Sequence, residues 1–486
     1  MRKIHLYTTL ILSFFSLFTF AMPRLTVVVT VDGLTSENLN TLRPYWQQGG
    51  IRTLSEEAFQ TTFAYPHLVY GGNETTATLV TGVTPDRHGY TMDTYFSRKD
   101  RKLHAILEDE TAHGIGTDIQ VSPKALPAQT ITDRMRLLYP AAKIYAIGIY
   151  PETTVLLAGH AANACCWLDP EKKEWVATAA YTEGLPNAAF EQNKSERIAT
   201  LAAREWTPRM DIPMYMSPTP QERKKGFRYE VKSVLRHAPE ANTLVIELAL
   251  AMQYDQKLGT DATPDLLMLQ LNSLSPQAQS DRIESAEHED MYLRLNQDLG
   301  YLMEQLDRRI GRTNYQILVV GRPVLGTSEQ SLNDIHMPVQ AFNVDRAAAL
   351  TGTYLMALYG HERWVDGVYG QSIFLNRTLI EQKRLNLETI QRQVANFLMD
   401  FEGIQIAMPG YEANRYPILG ASLSKKHTGD VVFVLQPGWR LMLDEKSTVD
   451  NIIDDSPKSP LLFWSGTLRP MPQGTITATN VADLIF

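Results

Sequence analysis

The chain is short of the residues that staple a fold or build a metal site in sequence. It has two cysteines, Cys165 and Cys166, and they are neighbours. Adjacent cysteines close a strained ring when they pair, and two thiols alone do not make a zinc site, so a disulfide framework is excluded. Both are expected to be packing residues ahead of Trp167. The eleven histidines form no HxxxH, HxH or HExxH pattern. Positive charge is not in excess: Lys and Arg number 46 against 54 Asp and Glu, a net charge of −8. That balance argues against general nucleic-acid binding, which draws on a basic field to release counterions, and leaves only a local basic groove open. Internal repeats, low-complexity tracts and an obvious linker are also missing, and no segment after the N-terminus is apolar enough to span a bilayer.

What is present is the composition of a large folded protein, with 44% hydrophobic and 21% charged residues, so one core with insertions is expected rather than a disordered chain. Arg2 and Lys3 precede a largely apolar stretch, Tyr7 to Phe20, too short for a comfortable span, with Thr19 and Ala21 as small residues at its end. Residues 1–21 therefore read as a signal peptide cleaved after Ala21, with an uncleaved anchor as the alternative. The mature chain, residues 22–486, is expected in the periplasm or at the outer membrane.

Leu25–Val31 is a continuous β-branched run ending in Asp32-Gly33, which suits a strand buried on both faces of a parallel sheet. A carboxylate at its end lies where open α/β sheets bind ligands. Further strands are expected at Lys143–Tyr150, Thr243–Glu247, Asp265–Asn272, Tyr315–Gly321, Asp430–Leu435 and Leu461–Ser465. Helices are expected at Leu42–Phe59, Thr75–Thr81, Glu287–Gly311 and Gln382–Phe401. The third has apolar residues Tyr292, Leu295, Leu299, Leu302, Leu306 and Ile310 at helical spacing, with Gly311 as its stop. Alternating strands and helices predict an α/β three-layer αβα sandwich with a mostly parallel central sheet. Cap insertions are expected at roughly 101–235 and 346–429.

VDG after the first strand, then TGVTPDRHG, LLAGHAANACCWLD, EDMYLRLNQDLGYLMEQLD and GDVVFVLQPGW resemble, in joint order, the alkaline phosphatase superfamily. Within it the pattern is most similar to the type I phosphodiesterase/nucleotide pyrophosphatase branch, in particular exported bacterial alkaline phosphatases with a threonine nucleophile. The resemblance implies a two-zinc mechanism with six Asp/His ligands. Asp32 stands at the first ligand position. The nucleophile position falls at Gly72, which has no side chain, with Thr75 and Thr76 about a turn later. The phosphate-binding asparagine falls at Asp93, and the phosphate-reaching lysine and arginine at Tyr150 and Glu152. The remaining ligands fall at Ser275, Gln279, Arg322, Pro323 and, least clearly aligned, Val449. His88 and His160 sit in loop motifs that are not ligand positions and are expected to be structural.

With one of six ligands left, the expectation is a catalytically inactive phosphatase-like protein with no zinc or other cofactor, acting as a binding, scaffold or assembly subunit. Its partners would be envelope proteins, including an outer-membrane assembly, and its candidate contact surfaces are Trp206–Pro220 and the segments around Trp364 and Tyr369. Two alternatives stay open. One is an active metal-dependent phosphomonoesterase or phosphodiesterase with a rearranged site, in which Asp32, Glu74 and Asp93 hold one divalent metal. The other is a non-hydrolytic binder of an anion through Arg322. Arg322 either pairs with Asp32 in the place of zinc or faces solvent.

Overall fold

The computed structural model describes residues 22–444, 447–449, 458–467 and 474–486; the expected signal segment and its cleavage site lie outside them. The run LTVVVTVD forms β1 (Leu25–Asp32), buried at every position. Helix α1 (Gly50–Glu57), β2 (Phe59–Ala64) and helix α2 (Glu74–Thr81) follow, the last stopped by Gly82 in the left-handed conformation. Next come β3 (Ile144–Gly148), helix α3 (Pro151–Ala158), β4 (Ala164–Asp169) and β5 (Glu174–Thr178). The second half adds helix α4 (Pro239–Gln256), β6 (Asp265–Asn272), helix α5 (Ala286–Arg309) and β7 (Tyr315–Arg322). A smaller sheet is built from β8 (Val365–Tyr369), β9 (Ser372–Leu375), β10 (Ile404–Pro409) and β11 (Val431–Leu435), and β12 (Lys458–Ser465) returns to the main sheet.

The main sheet runs β2-β12-β7-β1-β6-β3-β4-β5 and ends on the short strand Gly114–Ile115. Its centre, β7-β1-β6-β3-β4, is parallel. Alternate residues feed two cores. Val27, Val29, Val31, Leu267, Leu269 and Leu271 pack with α4 and α5 on one face. Val28, Leu266 and Met268 pack with α2 and α3 on the other. The result is the expected three-layer αβα sandwich. Cys165 and Cys166 are free and buried, one in each core, because neighbours on a strand point to opposite faces.

Three expectations need correction. Thr243–Glu247 is not a strand; it lies inside α4, an 18-residue helix opened by Pro239. A short apolar run carries no period that separates a strand from a helix buried against a sheet. The helix expected over Leu42–Phe59 is divided: a turn at Arg43–Tyr45, then α1 from Gly50. Here the glycines are needed for close approach, since a Cβ on Gly50 would lie 2.3 Å from Leu299 Cβ of α5. The aromatics proposed as contact surfaces are largely interior. Trp206 and Trp364 are fully buried. Trp206 ties its segment to α5 by donating Nε1–H to Asp290 at 2.7 Å, and Trp364 belongs to the core of the smaller sheet. No described helix is long and apolar enough to cross a membrane.

Candidate active site

The register of the central strands builds the site. Asp32 ends β1 and stands between Asn272 of β6 and Arg322 of β7. Asp32 and Arg322 have the parity of Val28 and Val320, so their side chains project on the side covered by α2. Both are almost completely buried, and a buried carboxylate must find a partner. Arg322 Nε donates to Asp32 Oδ1 at 2.7 Å, and Gln270 Nε2 donates to Oδ2 at 2.9 Å. Of the two alternatives for Arg322, pairing with Asp32 is the one found. Arg322 Nη1 donates to the Gly72 carbonyl at 3.0 Å and to Asn73 Oδ1 at 3.4 Å. Its Nη2 makes no hydrogen bond among the described residues. Burial works against the guanidinium's charge, yet Asp32 beside it, with Glu74 and Asp93 farther off, holds its pKa above the usual value.

The loop before α2 forms the opposite wall. Asp93 Oδ1 accepts from Asn73 N–H at 3.2 Å, Asn73 Nδ2 at 3.0 Å and Tyr90 OH at 2.7 Å. Thr153 donates to Asn73 Oδ1 at 2.6 Å. Thr75 is buried and donates back to the Gly72 carbonyl at 3.2 Å. Glu74 is fully buried; Oε1 accepts from Tyr70 N–H at 2.8 Å, whereas Oε2 is buried without a partner. Burial, reinforced by the charge of Asp93, pushes the Glu74 carboxyl up to about 7. A Cβ on Gly72 would lie 2.8 Å from that orphaned oxygen. The bare glycine thus makes room for the Glu74 carboxylate at the position where the resemblance implies a nucleophile.

Beneath α2 two buried histidines fix this loop. His67 Nδ1 bonds the Leu68 carbonyl at 2.7 Å and so carries the proton; its Nε2 accepts from Thr78 at 2.8 Å. His88 Nδ1 accepts from Tyr90 N–H at 3.1 Å, so its Nε2–H donates to the same Thr78 oxygen at 3.1 Å. Burial lowers His67 to about 4 and His88 to about 3. His88 is structural, as expected, and so is His160, whose ring bonds Asp133 and the Leu126 carbonyl.

Tyr150 and Glu152 flank the start of α3. Gln270 Oε1 accepts from the N–H groups of Ile149 and Tyr150 at 3.1 and 3.0 Å, so one glutamine links this turn to Asp32. Arg236 lies over the Tyr150 ring, 5.3 Å from its centroid, and Tyr150 OH is 3.3 Å from His237 Nε2. Arg236 Nε is buried without a partner. Burial, then the Arg236 charge, keeps the His237 pKa below its ordinary value. Burial and Asp93 raise the Glu152 carboxyl while Arg236 opposes them. Sequence reasoning missed Gln270, Asn73, Arg236 and His237. The last two sit on a single turn (Leu235–His237) before α4, and only the fold brings it to Tyr150.

The other expected positions do not join this cluster. Ser275 donates to Glu287 Oε1 at 2.9 Å, and Glu287 also accepts from Tyr229 OH. Gln279 lines a cleft of about 1240 Å³ between residues 219–229, 277–288 and 330–335, which neither Asp32 nor Arg322 lines. Pro323 is buried after β7, where Val324 and Leu325 N–H bind the Asp281 carboxylate at 3.0 and 2.9 Å. Val449 ends the short strand Ser447–Val449 in a separate sheet. Among the described residues no group of three or more His, Cys, Asp or Glu is placed to hold a metal, and Asp32 is committed to Arg322 and Gln270. The residues present do not fit the two-zinc ligand set.

An αβα sandwich with a buried charged cluster at the carboxyl ends of its central parallel strands is the architecture of the alkaline phosphatase superfamily. The chain belongs to the type I phosphodiesterase / nucleotide pyrophosphatase family, whose model matches residues 26–459. It is 22% identical to alkaline phosphatase PafA of Elizabethkingia meningoseptica over 481 residues, covering 92% of this chain and 88% of that one. It is 23% identical to alkaline phosphatase PhoV of Synechococcus elongatus over 459 residues, covering 87% and 81%. The crystal structure of wild-type PafA superposes with a TM-score of 0.83 at 20% identity over 95% of both chains, a likeness of fold.

These matches correct two expectations. Inactivity was inferred from single positions, but chains named as alkaline phosphatases match this one along most of its length, and nothing in them marks a loss of activity. The reading as a catalytically inactive binding or scaffold subunit does not stand. Nor does the expectation of no cofactor, because the chains matched are named alkaline phosphatases, an activity for which the resemblance implies metal. The site is not empty of charge: Arg322 pairs with Asp32, and Glu74 and Asp93 lie beside Gly72.

Proposed function

We propose that the chain is a phosphoester hydrolase, a phosphomonoesterase or phosphodiesterase of the family, with a rearranged site at the carboxyl ends of β1 and β7. The observation that carries it is the buried Asp32–Arg322 pair, in which Nη2 makes no hydrogen bond among the described residues and Glu74 and Asp93 are close enough to act on the guanidinium charge. A guanidinium edge recognises phosphoryl oxygens through charge-assisted hydrogen bonds. Gly72 offers no side-chain nucleophile, so the attacking group is water. The P–O ester bond breaks as the water oxygen bonds phosphorus, and the proton that the water loses is passed to the departing alcohol oxygen. We assign the base that takes the water's proton to His237, which lies beside Tyr150 and has its pKa lowered by burial and by the Arg236 charge. The zinc ligand set does not fit, so no step is assigned to zinc. The charged, apolar N-terminal segment supports an exported enzyme acting in the periplasm.

The test is hydrolysis of p-nitrophenyl phosphate and bis-p-nitrophenyl phosphate by the purified chain with added magnesium, manganese or zinc. Turnover that falls by about 100-fold or more in Arg322→Ala, the order seen when a transition-state donor is removed, supports the reading. Rates equal to a boiled control under every metal condition overturn it.

A further inference from the structure

Deepening the hydrolase reading, we propose that Glu74 and Asp93 hold one hard divalent cation, of the magnesium or manganese kind, beside Gly72. Glu74 Oε2 is the first observation. It is fully buried, has no partner, and points at the spot where a Cβ on Gly72 would be, 2.8 Å away. The two oxygens of Asp93 lie 3.5 and 3.6 Å from the same point. Only Oδ1 of Asp93 is used, by Asn73 and Tyr90; Oδ2 makes no hydrogen bond among the described residues. Two carboxylate oxygens without a hydrogen bond therefore flank Gly72, one from the buried wall and one from an exposed residue.

Charge points the same way. When Glu74 is ionised, Asp32, Glu74 and Asp93 carry three negative charges against the single positive charge of Arg322, while Glu152 and Arg236 offset each other, and a divalent ion brings the cluster to neutrality. Asp32 is excluded as a ligand because Arg322 and Gln270 occupy its two oxygens. The donor set is then two carboxylates with no nitrogen or sulfur. Zinc favours four ligands drawn from His, Cys and carboxylate. Magnesium commonly takes one or two carboxylates, several waters and the oxygens of a phosphoryl substrate. The uncommitted Arg322 Nη2 would share that substrate with the ion.

Binding is read directly. The full chain, stripped with chelator, is titrated with Mn²⁺ while the free-ion electron paramagnetic resonance signal is followed, without substrate. One Mn²⁺ per chain is expected, displaced by Mg²⁺. Asp93→Asn removes one ligand charge at an exposed position where folding is not at risk. Gly72→Ala places a methyl against Glu74 Oε2. Each is expected to weaken binding by about tenfold or more, at least the effect of disturbing an outer partner of a ligand. Glu284→Gln, on the separate large cleft, leaves it unchanged. Absence of stoichiometric binding, or equal affinity in both site variants, overturns the proposal. Turnover undiminished in chelator also sinks the cation site while leaving the hydrolase reading intact. Binding as described with no turnover upholds the site and sinks the hydrolase reading instead.

Discussion

Replacing Arg322 with methionine tests the centre of the site. Both side chains of the Asp32–Arg322 pair are nearly inaccessible, 4% and 6% exposed, and their contact is 2.7 Å. Methionine would leave the Asp32 carboxylate in the interior with one neutral donor, Gln270. Breaking a buried pair from one side costs about 3–5 kcal/mol, because the remaining charge is stranded. The other bonds of Arg322 add little. The Gly72 carbonyl keeps Thr75, and Asn73 Oδ1 keeps Thr153, so their loss is worth about 1 kcal/mol. Asp32→Asn in the same chain removes the stranded charge and keeps an acceptor for Gln270. The double variant should therefore recover about 2–3 kcal/mol of the loss in a double-mutant cycle. Urea unfolding followed by tryptophan fluorescence measures it. On the proposed role of Arg322 as the donor to the phosphoryl group, hydrolysis should not recover. A single Arg322→Met variant as stable as the wild type, or a double variant no better than the single, would refute the argument that this pair is a buried charge balance.

The buried histidine pair gives a pH dependence of known sign. His67 and His88 bind protons in the folded state only near pH 4 and 3, against about 6.5 when unfolded. Their contribution is intact above about pH 6.5 and is lost as pH falls toward those values, by up to about 1.4 kcal/mol per pH unit for each ring. Comparing the pH slope of urea midpoints for the wild type and His67→Gln isolates one ring; an unchanged slope between pH 6 and 4.5 would argue against a neutral buried pair. Gly50→Ala should destabilise by about 1–3 kcal/mol through overpacking, because its Cβ would meet Leu299 at 2.3 Å; an unchanged melting curve would mean the α1–α5 contact yields freely. Burial pushes the Cys166 thiol up to about 12 and Cys165 well above its ordinary value. Neither should react with Ellman's reagent in the native state, and both should do so in denaturant; rapid labelling of native protein would contradict their placement in the two cores.

Much of the fold could be read from residue pattern, and the failures have physical causes. LTVVVTVD, DLLMLQLN and YQILVVGR gave strands because a run buried on both faces is mostly apolar and ends in a polar residue. The spacing of Tyr292, Leu295, Leu299, Leu302 and Leu306 placed α5, and all five are buried; Gly311, with φ 87°, donates back to Leu306 at 3.2 Å as a helix stop does. The same reasoning failed at TLVIE, because α4 is covered nearly all round and so has no polar face to reveal its period. Aromatic content misled at Trp206 and Trp364: sequence reports a large ring but not whether a partner such as Asp290 receives its N–H inside.

The site was legible as a place and illegible as a chemistry. Counting along motifs located Asp32, Gly72, Asp93 and Arg322, and the structure gathers these four around Asn73. It could not say what each replacement does, because that depends on contacts 20 to 290 residues apart. Arg322 pairs with Asp32 only because β7 and β1 are neighbours in register. Glycine at 72 reads as a lost nucleophile in sequence; in space it is the opening that admits Glu74 Oε2. The expected trio of Asp32, Glu74 and Asp93 also divides: Arg322 withdraws Asp32, while Glu74 and Asp93 keep free oxygens facing one point. The cleft is therefore charged, although not with the residues of the two-zinc arrangement. A tally of missing ligands measures distance from the two-zinc arrangement, whereas the proposed hydrolysis depends on whether the Arg322 guanidinium and the carboxylates meet around a phosphoryl group.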